Sequence, residues 1–168
     1  LLAEAGYGGG LKITLLTRTM RIAQKAAEFL KNQLATIGID ANIEVVDTAI
    51  YTTRARAADF QIGVQLNVWR INDPDELSRK FLTGAESNYG RWSVKKFDDL
   101  FSEQARTLDP GKRKAIAREL DQILLQEWPS LWPYWADAIL ATWPEVKNFA
   151  PPPGLYSSIR LHDIWLAK

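Results

Sequence analysis

Between Leu11 and Val45 the hydrophobic period changes twice, and this restricts the fold more than any other feature of the chain. Leu11, Ile13 and Leu15 alternate with Lys12 and Thr14, the period of two that belongs to a strand. Ile22, Ala26, Phe29, Leu30, Leu34 and Ile37 then recur at helical spacing, and Gly38 stops the run. Ala41, Ile43 and Val45 alternate again with Asn42 and Glu44. Strand, helix and strand joined this closely form a βαβ unit, expected to be right-handed with its strands parallel. The class that follows is α/β.

The remaining chain adds to this nucleus. A short helix is expected over 49–57. Phe60, Ile62, Val64, Leu66 and Val68 alternate with Gln61, Gly63, Gln65, Asn67 and Trp69, which predicts a long third strand. Asp73, Pro74 and Glu76 stand at the N-cap, N1 and N3 positions of a helix expected to reach Leu82. Phe97, Leu100, Phe101, Gln104 and Leu108 mark an amphipathic helix entered near Ser93. Asp109 and Pro110 start the next, with Ile116, Leu120, Ile123 and Leu124 on its apolar face. The short link between them implies a helical hairpin. Beyond Trp128 the prolines at 129, 133, 144 and 151–153 confine strands to edges or short pieces. No repeat and no interior linker interrupts the chain, so residues 1–168 are expected to form a single domain. The opening, with Gly6 as a helix stop, reads as the last turns of a helix whose start is missing, so a longer natural chain is expected.

Composition removes several functions. There is no cysteine and one histidine, His162, which excludes thiol chemistry and a histidine-rich metal centre. Lys and Arg total 21 against 20 Asp and Glu, a net charge of +1 that offers no field for nucleic acid. No apolar run approaches the roughly 18 residues of a membrane span. Gly8, Gly9 and Gly10 precede a strand and lack the lysine of a phosphate loop. No pair of carboxylates is placed for acid–base work, and no cofactor is implied. Lys112, Arg113 and Lys114 read as solvated charge.

What remains is a binding arrangement. Ligands of open α/β sheets lie beyond the carboxyl ends of the strands. Thr17, Arg18 and Thr19 lie at that end of the first strand, and Trp69, Arg70 and Asn72 at that end of the third. Together they offer an indole platform, guanidinium groups and amide donors. Asp73, Asp75 and Glu76 are better explained as a helix cap and its dipole partners. Trp128, Trp132, Trp135 and Trp143 suit packing, or alternatively stacking on sugars in a carbohydrate-binding module or oligosaccharide receptor. A stand-alone interaction domain is a third reading.

In order along the chain, these segments resemble family 5 extracytoplasmic solute-binding proteins, the peptide/nickel/opine-type receptors of ABC importers. The helix end at Gly6 and Tyr7 is similar to the one before that family's C-terminal lobe. Leu34, Ile37, Gly38 and Ile39 resemble its helix exit. Tyr51, Arg54, Asp59 and Phe60 resemble its "Y-x-x-R…G-D-F-D" stretch. Trp69, Asn72, Asp73, Pro74 and Asp75 resemble its tryptophan and "D-P-D" region. Asn88 to Asp98, Asp109 with Arg113, Trp128 to Pro133, Val146 to Phe149, and Trp165 resemble later motifs.

The resemblance implies most of the C-terminal lobe of a two-lobe fold like that of type II periplasmic binding proteins, a small sheet with flanking helices. It implies a periplasmic or extracytoplasmic receptor without catalysis. Its partners would be a peptide or small-molecule ligand, an N-terminal lobe of the same protein, and a membrane permease. In peptide-binding members, the acid three residues after the tryptophan takes the ligand's amino group. Here that place holds Asn72, followed by Asp73. Arg18, with Arg21 as runner-up, matches the arginine that takes the ligand carboxylate. Arg18, Trp69, Arg70, Asn72, Asp73 and Asn88 are therefore the expected ligand-binding residues.

Overall fold

The computed structural model describes residues 1–66, 73–132, 139–150 and 161–167. Trp69, Arg70, Asn72, Trp135 and the proline run at 151–153 lie outside the described residues. Contacts divide the chain into two compact units. One holds Leu1–Asn67 with Tyr89–Arg91, the other Val68–Asn88 with Trp92–Lys168.

The first unit is the sheet. β1 (Leu11–Arg18) lies between β2 (Ile39–Val46) and β3 (Ile62–Gly63), and both pairings are parallel. The β1–β2 register runs from Leu11 opposite Ile39 to Arg18 opposite Val46. α1 (Arg21–Ala35) packs on β1 and β2, and α2 (Thr48–Ala57) on β1. Leu15 and Leu16 are adjacent and both fully buried, so both faces of β1 are covered. Ahead of β1, Tyr7 N–H donates to the Leu2 carbonyl (2.8 Å) and Gly6 N–H to that of Ala3 (3.1 Å), with Gly6 at φ +86°. Those two bonds form a turn with the Schellman pattern.

Two expectations for this unit need correction. α1 buries only part of the stripe read from sequence: Ile22 and Phe29 are exposed, as is Ile37 beyond its end. It buries Ala23 and Ala27, continued by half-buried Leu30 and Leu34. Alanines four apart let a helix lie close to a sheet, while the larger apolar residues sit on its flank. The third strand is also much shorter than its alternation suggests. Among the described residues, only Leu15–Ile62 and Leu16–Gly63 pair. On one side of that ladder Thr14 N–H donates to the Gln61 side-chain oxygen (2.6 Å). On the other, Val64 N–H donates to the Leu16 carbonyl (2.8 Å) and the Thr17 hydroxyl to the Val64 carbonyl (3.1 Å). Side chains here take over bonds that backbone would make in a longer ladder.

The second unit is mainly helical. A 3-10 turn (Pro74–Leu77) runs into α3 (Ser78–Phe81), followed by α4 (Lys95–Gln104) and α5 (Pro110–Glu127). Asp109 caps α5 by accepting from Lys112 N–H (2.7 Å), as its sequence predicts. α4 and α5 form the expected hairpin around Phe81, Phe97, Phe101, Leu120, Ile123 and Leu124. Phe97 meets Trp92 edge to face at 5.1 Å between centroids, and Trp132 meets Phe81 at 6.0 Å. α4 starts at Lys95, near Ser93 as expected, and the Ser93 hydroxyl pairs with Thr83 Oγ1 (2.9 Å). Leu108, read as part of the apolar face, is 96% exposed because α4 has ended at Gln104. β4 (Val146–Lys147) and β5 (Trp165–Leu166) form a short antiparallel ribbon. Trp132 belongs to the core, whereas Trp128 and Trp143 are exposed.

Candidate functional site

The sheet unit places Arg18 at the last position of β1, at the carboxyl edge where a parallel sheet receives ligands. Leu16 and Arg18 are two residues apart and share one face of β1. On that face Leu16 packs with Tyr51 and Ala55 of α2, and Val46, opposite Arg18 in register, joins the same cluster. α2 is fixed at both ends. Asp47 caps it by accepting from Ala49 N–H (2.8 Å). At its other end Arg54 pairs with Glu44 of β2 (2.6 Å) and with Asp59 (2.9 Å). Tyr51, one turn before Arg54, is thereby held over the sheet and is only 4% exposed.

The chemistry of this edge is polar and cationic. Arg18 Nε is buried and has no hydrogen-bond partner among the described residues. Burial pushes the Tyr51 phenol up to about 12, the Arg18 charge pulls it down, and Tyr89 pushes it up. The phenol is therefore protonated and neutral at any physiological pH. The hydroxyls of Thr17 and Thr19, which the sequence grouped with Arg18, donate to the Val64 and Val46 carbonyls (3.1 Å each). They hold the sheet edge together. A shallow depression of about 370 Å³ on the same unit is lined by Thr14, Glu44, Arg54, Asp59 and Gln61, whose charged groups are already paired with one another.

Asp73 and Asn88 have structural partners in the helical unit. Arg113 of α5 grips Asp73 with two bonds of 2.7 Å. Asp73 Oδ1 also accepts from Asp75 N–H (2.9 Å). The bond from Arg113 holds the Asp73 carboxyl below its usual range. Gln104, fully buried, donates to Asp75 (2.7 Å) and accepts from Arg113 Nε (2.9 Å). Asn88 donates to the Leu82 and Trp92 carbonyls (3.1 and 2.6 Å) and accepts from Trp92 N–H (3.0 Å). Its amide staples the loop between α3 and α4.

Sequence reasoning missed three residues. Arg113, quoted in a motif with Asp109 but otherwise read as solvated charge, is the hub of a network. Gln104 carried a signal, since a lone amide on an apolar helix face needs a buried partner. Tyr51 entered only through a motif. Among the described residues, no three His, Cys, Asp or Glu side chains gather to hold a metal. No helix among them is long and apolar enough to cross a membrane.

Residues 1–89 match the family described as "Bacterial extracellular solute-binding proteins, family 5 Middle". The chain belongs to this family. It is 30% identical over 140 residues to the Di/tripeptide-binding protein 1 of Pseudomonas aeruginosa (strain UCBPP-PA14), covering 77% of this chain and 26% of that protein. It is 24% identical over 152 residues to the Probable deoxycholate-binding periplasmic protein YgiS of Escherichia coli (strain K12), covering 89% of this chain and 28% of the relative. The structure of HbpA2 from Haemophilus parasuis superposes with a TM-score of 0.77 at 22% identity, covering 99% of this chain and 34% of that one. The family 5 chain thus has the α/β fold of periplasmic binding proteins, with a small sheet and flanking helices. An extracytoplasmic location comes with the membership. It spans about a quarter to a third of the length of these relatives.

Proposed function

We propose that this family 5 chain supplies much of one lobe of the substrate-binding component of an ABC importer. The solute is a short peptide or similar small polar compound, held in a cleft that closes between this lobe and an N-terminal one. A membrane permease receives it. No bond is made or broken; the work is binding, exclusion of water and release by hinge motion.

The observation that carries the reading is Arg18, at the carboxyl edge of a parallel sheet with Nε buried and unpartnered among the described residues. A guanidinium in that condition suits a carboxylate, which it binds through two parallel N–H donors. Peptides and deoxycholate, named in the descriptions of two relatives, both carry a carboxylate. Trp69, Arg70 and Asn72 are proposed as further solute-binding residues, offering an apolar platform, a second cation and an amide. Asp73 and Asn88 are already engaged by Arg113 and by the Leu82 and Trp92 backbone, within the helical unit.

The test is native mass spectrometry of the product of the complete parent gene, purified gently from its own host. The expected result is a bound small molecule, released on unfolding, whose mass fits a carboxylate solute. Its loss in an Arg18→Met variant that still folds is also expected. Retention of the same molecule by that variant, or no small-molecule binding by the parent across a peptide panel, overturns the reading.

A further inference from the structure

Arg18 leaves β1 on the face that Leu16 also uses, and that face is occupied by Tyr51, Val46 and Ala55, with Tyr89 packed against them. The Tyr51 hydroxyl lies against Gly63 of β3, where a larger residue would be tight. A Cβ added to Gly63 would stand 3.2 Å from the Tyr51 hydroxyl oxygen and 3.5 Å from two ring carbons of Phe60. The first distance is too close for comfort and the second is ordinary contact. Because Tyr51 is buried, it has little freedom to withdraw. Gly63 is the β3 partner of Leu16 in register, two residues before Arg18 on β1. The glycine, the ring and Arg18 therefore share one face near the sheet's carboxyl edge.

We infer that Tyr51 is a positioning residue for an oxyanion subsite headed by Arg18, and that Gly63 is the residue that admits its ring. The ring limits where the guanidinium can lie. The group received is a carboxylate or a comparable planar oxyanion. This rests on the reading of Arg18 given above and adds two residues to it.

The test uses the 168-residue chain, labelled with nitrogen-15, and acetate as the probe. The Nε–Hε signal of Arg18 is assigned by its loss in Arg18→Lys. Acetate should move that signal saturably, while chloride at equal ionic strength should not. Tyr51→Phe, which keeps the ring, should retain acetate binding within about threefold, and Tyr51→Leu should lose about tenfold. Gly63→Ala should lose about tenfold, and most of that loss should return in the double variant Gly63→Ala/Tyr51→Phe, where the clashing oxygen is gone. A purely structural role for Gly63 would not be rescued by removing one oxygen elsewhere. Wild-type acetate binding in Tyr51→Leu and Gly63→Ala overturns the inference while leaving Arg18 as the anion reader. An Arg18 signal indifferent to acetate overturns both. If Tyr51→Leu does not fold, the Gly63→Ala and double-variant pair decides alone, and failure of the rescue rejects it.

Discussion

In the sheet unit most of the buried apolar positions are small or short: Ala23 and Ala27 on α1, Ala41 on β2, Ala55 on α2, with Leu15 and Leu16 between the layers and Tyr51 as a buried ring. In the helical unit they are Phe97, Phe101, Leu120 and Leu124, with aromatic rings meeting edge to face. The reason is geometric. A helix laid on a parallel sheet makes a long contact, which small side chains keep close. Two helices in a hairpin leave a wider gap, which rings and leucines fill at native packing density. The units should therefore fail in opposite ways, one when a side chain is enlarged and the other when it is cut back.

Phe97→Ala should break the helical unit hardest, costing about 3–5 kcal/mol in urea unfolding. A loss below about 1 kcal/mol would mean that the ring cluster is not its core. Ala27→Leu should cost the sheet unit about 1–3 kcal/mol by overpacking. Ala27→Gly should give a smaller loss, about 1 kcal/mol, from helix propensity. If the glycine variant were the worse of the two, the close contact of α1 would be wrong.

pH separates the units further. Tyr51 is raised from 10.0 to about 12, so its contribution is whole below pH 10 and is lost as pH rises through 12. The loss should be on the order of 2 kcal/mol and absent in Tyr51→Phe, as measured by unfolding at stepped alkaline pH. Asp73 acts at the other end of the scale. Its carboxyl is held below 3.8 chiefly by the hydrogen bond from Arg113, so its contribution is whole above that pH and is lost as pH falls through the lower folded value. Arg113→Met should lower stability at neutral pH and flatten the decline below pH 3.8. An acid limb identical to wild type would show that the pair contributes nothing. The smallest effect is expected at the caps, where Asp109→Ala and Asp47→Ala should each cost about 1 kcal/mol.

The places of Arg18 and Asp73 in the fold were legible because they follow from local rules. Arg18 ends a strand whose alternation names its face, and strand ends of parallel sheets are where ligands go. Asp73 reads as a cap beside Pro74, and it does accept from Asp75 N–H. The partners were not legible. Arg113 lies 40 residues from Asp73, and nothing local distinguishes it from Lys112 or Lys114. Asn88 carries the same amide whether it meets a solute or staples its own loop.

The sequence by itself determined the order of elements, the parallel β1–β2 pair, the capped start of α5 and the hairpin that follows. These depend on periodicity and on cap residues within a few positions, so local physics suffices. The tertiary structure decided which face of α1 is buried, since its apolar residues cover more than one face and only packing on the sheet selects Ala23 and Ala27. It also decided the length of β3. Alternation from Phe60 to Val68 states where side chains can point, but a ladder exists only where another backbone offers its carbonyls and N–H groups. The seating of Tyr51 against Gly63 is of the same kind, because the glycine carries no mark of the hydroxyl that lies beside it.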